Sequence, residues 1–212
     1  MNLCFKIKNK ITKYRFLSIL LSTLLLTSCV ETVIVGSFGT GIIALREKTI
    51  EDTASDTLIA SNLVKEFVIN KLKTPFNNIE LMVNEGRVLL MGVVTDPDKA
   101  QLALDLTWKK SGVQEVIDEI ELDKDDKFKI KNILGSINDY GITTISKAKI
   151  LANPNTKFFN YKITTVRGNV YLIGVAKDQQ EINKATSLIS KIYGVKKVVN
   201  HIILIDDRRR QS

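Results

Sequence analysis

The sequence predicts an α+β chain of two tandem modules, each an αββαβ sandwich with a three-stranded sheet and two helices on one face. Three observations predict it. First, Gly86-Arg87-Val88-Leu89-Leu90-Met91-Gly92 returns as Gly168-Asn169-Val170-Tyr171-Leu172-Ile173-Gly174, an offset of 82 residues. Second, the register persists: Asn78, Asp96, Ala103, Gly112-Val113, Val116, Ile120 and Leu122 meet Asn160, Asp178, Ala185, Gly194-Val195, Val198, Ile202 and Leu204. Third, the hydrophobic period changes between about 3.6 and 2 in the same order within each copy. At 44% apolar and 25% charged residues, the composition is that of a globular chain.

Residues 1–28 read as an export signal. Lys6, Lys8, Lys10, Lys13 and Arg15 precede the apolar run Phe16 to Leu26, which falls short of the roughly 20 residues that span a bilayer core. The run ends in Leu26-Thr27-Ser28-Cys29. Small residues before a cysteine in this context resemble the bacterial lipobox, which predicts Cys29 as the lipid-attachment residue. Val30 follows it, which favours the outer membrane over retention at the inner one. Cys4 leaves with the signal, so the mature body holds neither a free thiol nor a disulfide.

The signal carries five positive charges and no acid, so the net charge of +8 falls to +3 without it. The basicity therefore does not indicate a nucleic-acid partner. Residues 29–52 read as a tether. Gly36 to Gly41 is glycine-rich but lacks the strand before and the Lys-Ser/Thr after that a phosphate loop needs.

The first module is placed at 53–122. Ile59, Leu63 and Phe67 recur every four residues, so Thr53 to about Leu72 is a helix. Pro75 and Asn77-Asn78 break it. Ile79, Leu81 and Val83 alternate with other residues as in a strand, Glu85-Gly86 is a turn, and Val88 to Val94 returns. Asp96-Pro97-Asp98 starts a second helix, which stops at Gly112. Residues 123–138 read as the linker and 139–206 as the second module. Asn138-Asp139 is expected to cap its first helix, which carries Ile142 and Ile150. Tyr161 to Thr165, Val170 to Val175, a helix capped by Asp178, and Val198 to Leu204 complete it. Residues 207–212 form a basic tail.

In the return strands Leu89, Met91, Tyr171 and Ile173 point away from the Val-x-Leu residues shared by both copies. With helices on the shared side, these four sit on the open face with Ile117, Val199 and Ile203. An apolar open face suggests contact between modules or with a partner, unless a helix or the linker covers it.

Little in the chain suggests bond-making chemistry. His201 is expected at the surface, and no histidine or cysteine cluster has metal-ligand spacing. No serine sits in a nucleophile elbow. Trp108 is expected to pack, and Asp125-Asp126 and Asp206-Asp207 read as solvated charge. The expectation is no enzyme, cofactor, metal or small-molecule substrate.

These residues resemble two BON domains over about 53–206. That family has an αββαβ fold with Gly-x-Val-x-Leu-x-Gly in the hairpin and Gly-Val-x-x-Val before the last strand. The motif glycines are Gly86, Gly92 and Gly112, then Gly168, Gly174 and Gly194. A lipobox followed by two such modules is similar to the dual-BON outer-membrane lipoproteins of proteobacteria, including a lipid-binding type associated with division and outer-membrane stress. Ile142-Thr143-Thr144 matches that type.

The resemblance implies that the first helix of the second module touches anionic phospholipid, with a tryptophan near its start. Here Gly141 stands at that position and Tyr140 beside it. The implied contact residues are Tyr140, Ile142, Lys147 and Lys149. Lysines near an anionic surface contribute about 1 kcal/mol each. The expected role is a lipid-anchored, periplasm-facing outer-membrane protein that binds phospholipid or envelope proteins and maintains the membrane. The alternative is a periplasmic stress-response chaperone of the holdase type.

Overall fold

The computed structural model describes residues 50–74, 78–123 and 128–210. The signal 1–28, Cys29, most of the tether and Asp125-Asp126 lie outside the described residues. Helix α1 (Ile50–Ile69) begins inside the predicted tether and turns Ile59, Leu63 and Phe67 inward. Strands β1 (Asn78–Asn84) and β2 (Arg87–Val94) form an antiparallel hairpin. Its turn residues Glu85 and Gly86 both have positive φ, as a two-residue hairpin loop of primed type demands. Helix α2 (Pro97–Trp108) starts as expected: the Asp96 carboxylate accepts from the Asp98 N–H at 2.9 Å. It leads to β3 (Glu115–Leu122), which pairs parallel to β2.

The second module repeats the plan with α3 (Phe128–Leu151), β4 (Tyr161–Val166), β5 (Asn169–Ala176), α4 (Gln179–Ser190) and β6 (Lys197–Leu204). Short 3-10 turns lie at Phe158–Asn160 and Arg208–Arg210. The sheet orders are β1-β2-β3 and β4-β5-β6. Asp178 caps α4 by accepting from the Glu181 N–H at 2.9 Å.

Gly92 shows why the motif needs a glycine inside a strand. Its φ is 133°, and a Cβ there would run into the carbonyl oxygen of Asn78. Gly174 repeats the approach against Asn160. The strands cross too closely there for any side chain.

Two predictions about α3 are corrected. The helix begins at Phe128, so most of the predicted linker is helical, and Asn138-Asp139 lies within the helix. Asp139 does not cap the helix start. Its carboxylate accepts from the N–H groups of Arg167 and Gly168 at 2.7 and 2.8 Å, holding the hairpin turn. Asp56 holds the first turn identically, accepting from Glu85 and Gly86 at 2.9 and 3.0 Å. Each module thus ties its first helix to its hairpin through one carboxylate, which satisfies two otherwise orphaned turn donors.

Each module has its own core between helices and sheet. Val88, Leu90 and Val94 face α1, and Val170, Leu172 and Ala176 face α3. The opposite sheet faces meet each other. Met82, Leu89, Met91, Tyr171, Ile173 and Val199 form a third apolar cluster, with Ile117 and Val166 against it. Leu89 and Tyr171, Met91 and Ile173, and Ile117 and Val199 are repeat counterparts, so the contact is close to two-fold.

Glu119 and His201, also counterparts, touch at 2.9 Å. His201 is thus not a lone surface histidine; it is half-buried at this seam, and its carbonyl accepts from Arg87 Nη1 at 3.1 Å. The polar rim reverses sign between copies. Glu85 in the first turn pairs with Arg210 at 2.7 Å. Its counterpart Arg167 pairs with Glu121 at 3.3 Å and Asp123 at 3.1 Å. The predicted basic tail is therefore a strap: Arg210 reaches the first module's turn, and Arg209 joins Asp207 and Glu115. Asp207 is not merely solvated charge, because Arg209 holds its carboxyl well below the usual range.

Candidate functional site

Helix α3 packs one side on its sheet and leaves the other uncovered among the described residues. Ile142, Ser146 and Ile150 face inward, and Thr143 Oγ1 bonds Thr165 Oγ1 at 2.8 Å. At about 100° per residue, Lys147, Tyr140, Leu151, Ile137, Ile145 and Lys149 fall in that order around the outer side, with Thr144, Ala148, Gly141 and Asn138 between them. Ile137, Tyr140, Ile145 and Leu151 are all exposed, Tyr140 by 75%. The two lysines stand at the edges of this apolar strip, and neither takes part in an ion pair among the described residues. An apolar stripe bordered by cations is the pattern of a helix lying in a membrane interface: the stripe enters the acyl boundary and the lysine stems reach back to the headgroups.

Of the predicted contact residues, Tyr140, Lys147 and Lys149 share this face. Ile142 does not. It is 7% exposed, and its Cδ1 lies 3.1 Å from where a Cβ on Gly194 would stand. Its place is the core because it is the repeat counterpart of Ile59, which meets Gly112 in the same way. Ile137, Ile145 and Leu151 were missed. Their signal was the outer half of the helical period that placed Ile142 and Ile150 inside. Trp108 was expected to pack but closes α2 at 56% exposure.

The motif glycines hold the frame. Gly86 and Gly168 occupy hairpin turns, Gly92 and Gly174 the close strand crossings, and Gly112 and Gly194 the seats of Ile59 and Ile142. Among the described residues no group of His, Cys, Asp or Glu side chains is arranged to hold a metal ion, and no helix is long and apolar enough to cross a membrane.

The family model described as BON domain matches residues 55–124 and 138–206. The chain belongs to the BON family. Both BON domains are thereby matched over nearly their full αββαβ extent. A protein of Anaplasma centrale, "Uncharacterized protein in gshII 5'region", is 38% identical over 136 residues, covering 64% of this chain and 87% of that protein. The outer membrane lipoprotein DolP of Haemophilus influenzae is 30% identical over 194 residues, covering 90% of this chain and 96% of that protein. Osmotically-inducible protein Y of Escherichia coli is 26% identical over 139 residues, covering 66% of this chain and 68% of that protein.

Proposed function

We propose that this chain is an outer-membrane lipoprotein, anchored through Cys29, whose second BON domain lays α3 on anionic phospholipid on the periplasmic side. It acts by contact, helping to keep the membrane intact, and makes or breaks no bonds. The observation that carries the reading is the outer strip of α3: Ile137, Tyr140, Ile145 and Leu151 between Lys147 and Lys149. The likeness to outer membrane lipoprotein DolP over most of both chains supports the anchor and the location.

An acylated cysteine brings the domains to the surface, and the strip then adds a second, weaker attachment. Lys147 and Lys149 contribute about 1 kcal/mol each at an anionic surface. Tyr140 supplies the amphipathic ring that favours the headgroup level.

Co-sedimentation of the mature chain carrying Cys29→Ala tests the lipid contact without the acyl groups. Binding is expected to vesicles of phosphatidylglycerol and phosphatidylethanolamine at low salt, and little to phosphatidylcholine. Lys147→Gln with Lys149→Gln should weaken it about 25-fold. No binding to the anionic vesicles would overturn the reading. The likeness to osmotically-inducible protein Y favours a second reading, a holdase that uses the same exposed strip on unfolded clients. Suppressed aggregation of a client, without vesicle binding, would favour it.

A further inference from the structure

Tyr193 is the most exposed large hydrophobic side chain among the described residues, at 99%. It sits in the loop between α4 and β6, directly before Gly194. That loop is held against α3: Ile142 Cδ1 reaches the α-carbon side of Gly194, and the Lys196 stem lies along Gly168 in the hairpin turn. Ile142 therefore fixes which flank of α3 the loop borders. Ile145 and Lys149 lie on that same flank of the helix, one step round toward solvent. The loop that carries the exposed tyrosine therefore borders the flank of α3 that leads round to the strip.

The loop is also cationic. Lys191, Lys196 and Lys197 are exposed within seven residues, with no acid between them, and none joins an ion pair among the described residues. The first domain offers a control. At the counterpart positions stand Lys109, Ser111, Gln114 and Glu115, and Glu115 is taken up by Arg87 and Arg209. The first domain also exposes an aromatic beside lysines, Trp108 before Lys109 and Lys110, but it closes the helix and Lys110 is held by Glu66; the tyrosine at the loop tip with lysines on both sides belongs to the second domain.

A fully exposed aromatic ring is apolar surface left uncovered among the described residues. Tyrosine gains from the headgroup layer, where its ring leaves water and its hydroxyl keeps polar partners. Three lysines within four residues of it in the chain match anionic phosphates in sign.

We propose that residues 191–197 are a second membrane anchor: Tyr193 enters the headgroup layer of anionic phospholipid beside α3, with Lys191, Lys196 and Lys197 on the phosphates. The contact surface is then built from two elements, which fixes the tilt of the domain on the membrane as a single helix could not. This inference rests on the lipid reading of α3.

The test uses the mature chain with Cys29→Ala and Trp108→Phe, so that one introduced tryptophan reports at a time. Tyr140→Trp and Tyr193→Trp are each titrated with phosphatidylglycerol and phosphatidylethanolamine vesicles containing brominated acyl chains. Quenching and a blue shift are expected in both. Quenching with Tyr140→Trp alone overturns the second anchor and leaves the α3 reading standing. Quenching in neither overturns both. Replacing Lys191, Lys196 and Lys197 by Gln should weaken binding about fivefold per lysine at low salt. Unchanged binding in the triple variant overturns the proposed role of the loop. Because these side chains are exposed, thermal melting of each variant should stay unchanged, which separates lost binding from lost folding.

Discussion

Aligned through their turn-holding carboxylates Asp56 and Asp139, the first helices of the two BON domains differ most on the side turned away from their sheets. The first domain has Thr57, Asn62, Lys65 and Glu66 where the second has Tyr140, Ile145, Ala148 and Lys149. In α1, Glu66 pairs with Lys110 at 2.8 Å, and that lysine lowers its carboxyl pKa. α1 does expose Leu58, Val64, Val68 and Ile69, but its one aromatic, Phe67, is buried and its charges are mixed. In α3 the polar residues are replaced by an apolar strip with cations at its edges. Duplication kept the inside of the domain and freed the outside to change, because inward residues answer to packing and outward ones only to what they touch.

The shared frame predicts the largest effect and an equal one in both copies. Gly92→Ala and Gly174→Ala each drive a methyl group into a backbone carbonyl at a positive φ, so each should cost at least about 4 kcal/mol in denaturant unfolding. A small loss at either site would break the equivalence of the two hairpins.

The inward face also holds one sharp difference. Leu63 is fully buried in α1, and its counterpart in α3 is Ser146, equally buried, whose hydroxyl has no hydrogen-bond partner among the described residues. Leu63→Ala should cost about 3 kcal/mol through a cavity. Ser146→Ala should instead stabilise the chain by about 1 kcal/mol, since it removes an unsatisfied polar group. Chemical denaturation of both variants measures this opposition in sign.

The seam between domains gives a smaller effect. Two first domains face to face would set Glu119 against Glu119, whereas the real pairing sets it against His201. His201→Glu recreates the like-charge contact and should loosen the domains by about 1 kcal/mol. Faster proteolytic separation of the two domains, with both halves still folded, would report it.

The smallest effect is in pH. Burial, and then the nearby Glu181 carboxylate, push the Tyr161 hydroxyl well above the ordinary tyrosine range. The unfolded chain therefore loses this proton first. The stabilisation is complete below about pH 10 and fades as pH rises above it. Tyr161→Phe should flatten that alkaline limb in thermal melts, with little change at neutral pH.

The frame was legible because its signals are local. Asp96 and Asp178 announce helix starts, the two-residue turns announce hairpins, and alternation in β2 and β5 assigns each sheet face. The open faces were legible as apolar, but sequence could not say that they meet each other. That depends on two modules folding onto one another across a long separation.

Local pattern failed where one residue does an uncharacteristic job. Ser146 breaks the inward stripe of α3. Asp139 looks like a cap and serves a turn 28 residues away. The Ile-Thr-Thr match drew Ile142 toward a lipid role that its core position forbids. Tyr193 stands just before a motif glycine, and the lysines on both sides of it carry its signal.

The asymmetry between the two domains is the central claim, and spin-labelled lipid tests it most directly. The mature chain with Cys29→Ala is bound to phosphatidylglycerol-containing vesicles or bicelles carrying a headgroup nitroxide, and amide NMR signals are followed. Broadening should concentrate at residues 137–151 and 191–197 of the second domain and spare residues 54–69 of the first. Equal broadening in both first helices, or none in α3, would contradict the account.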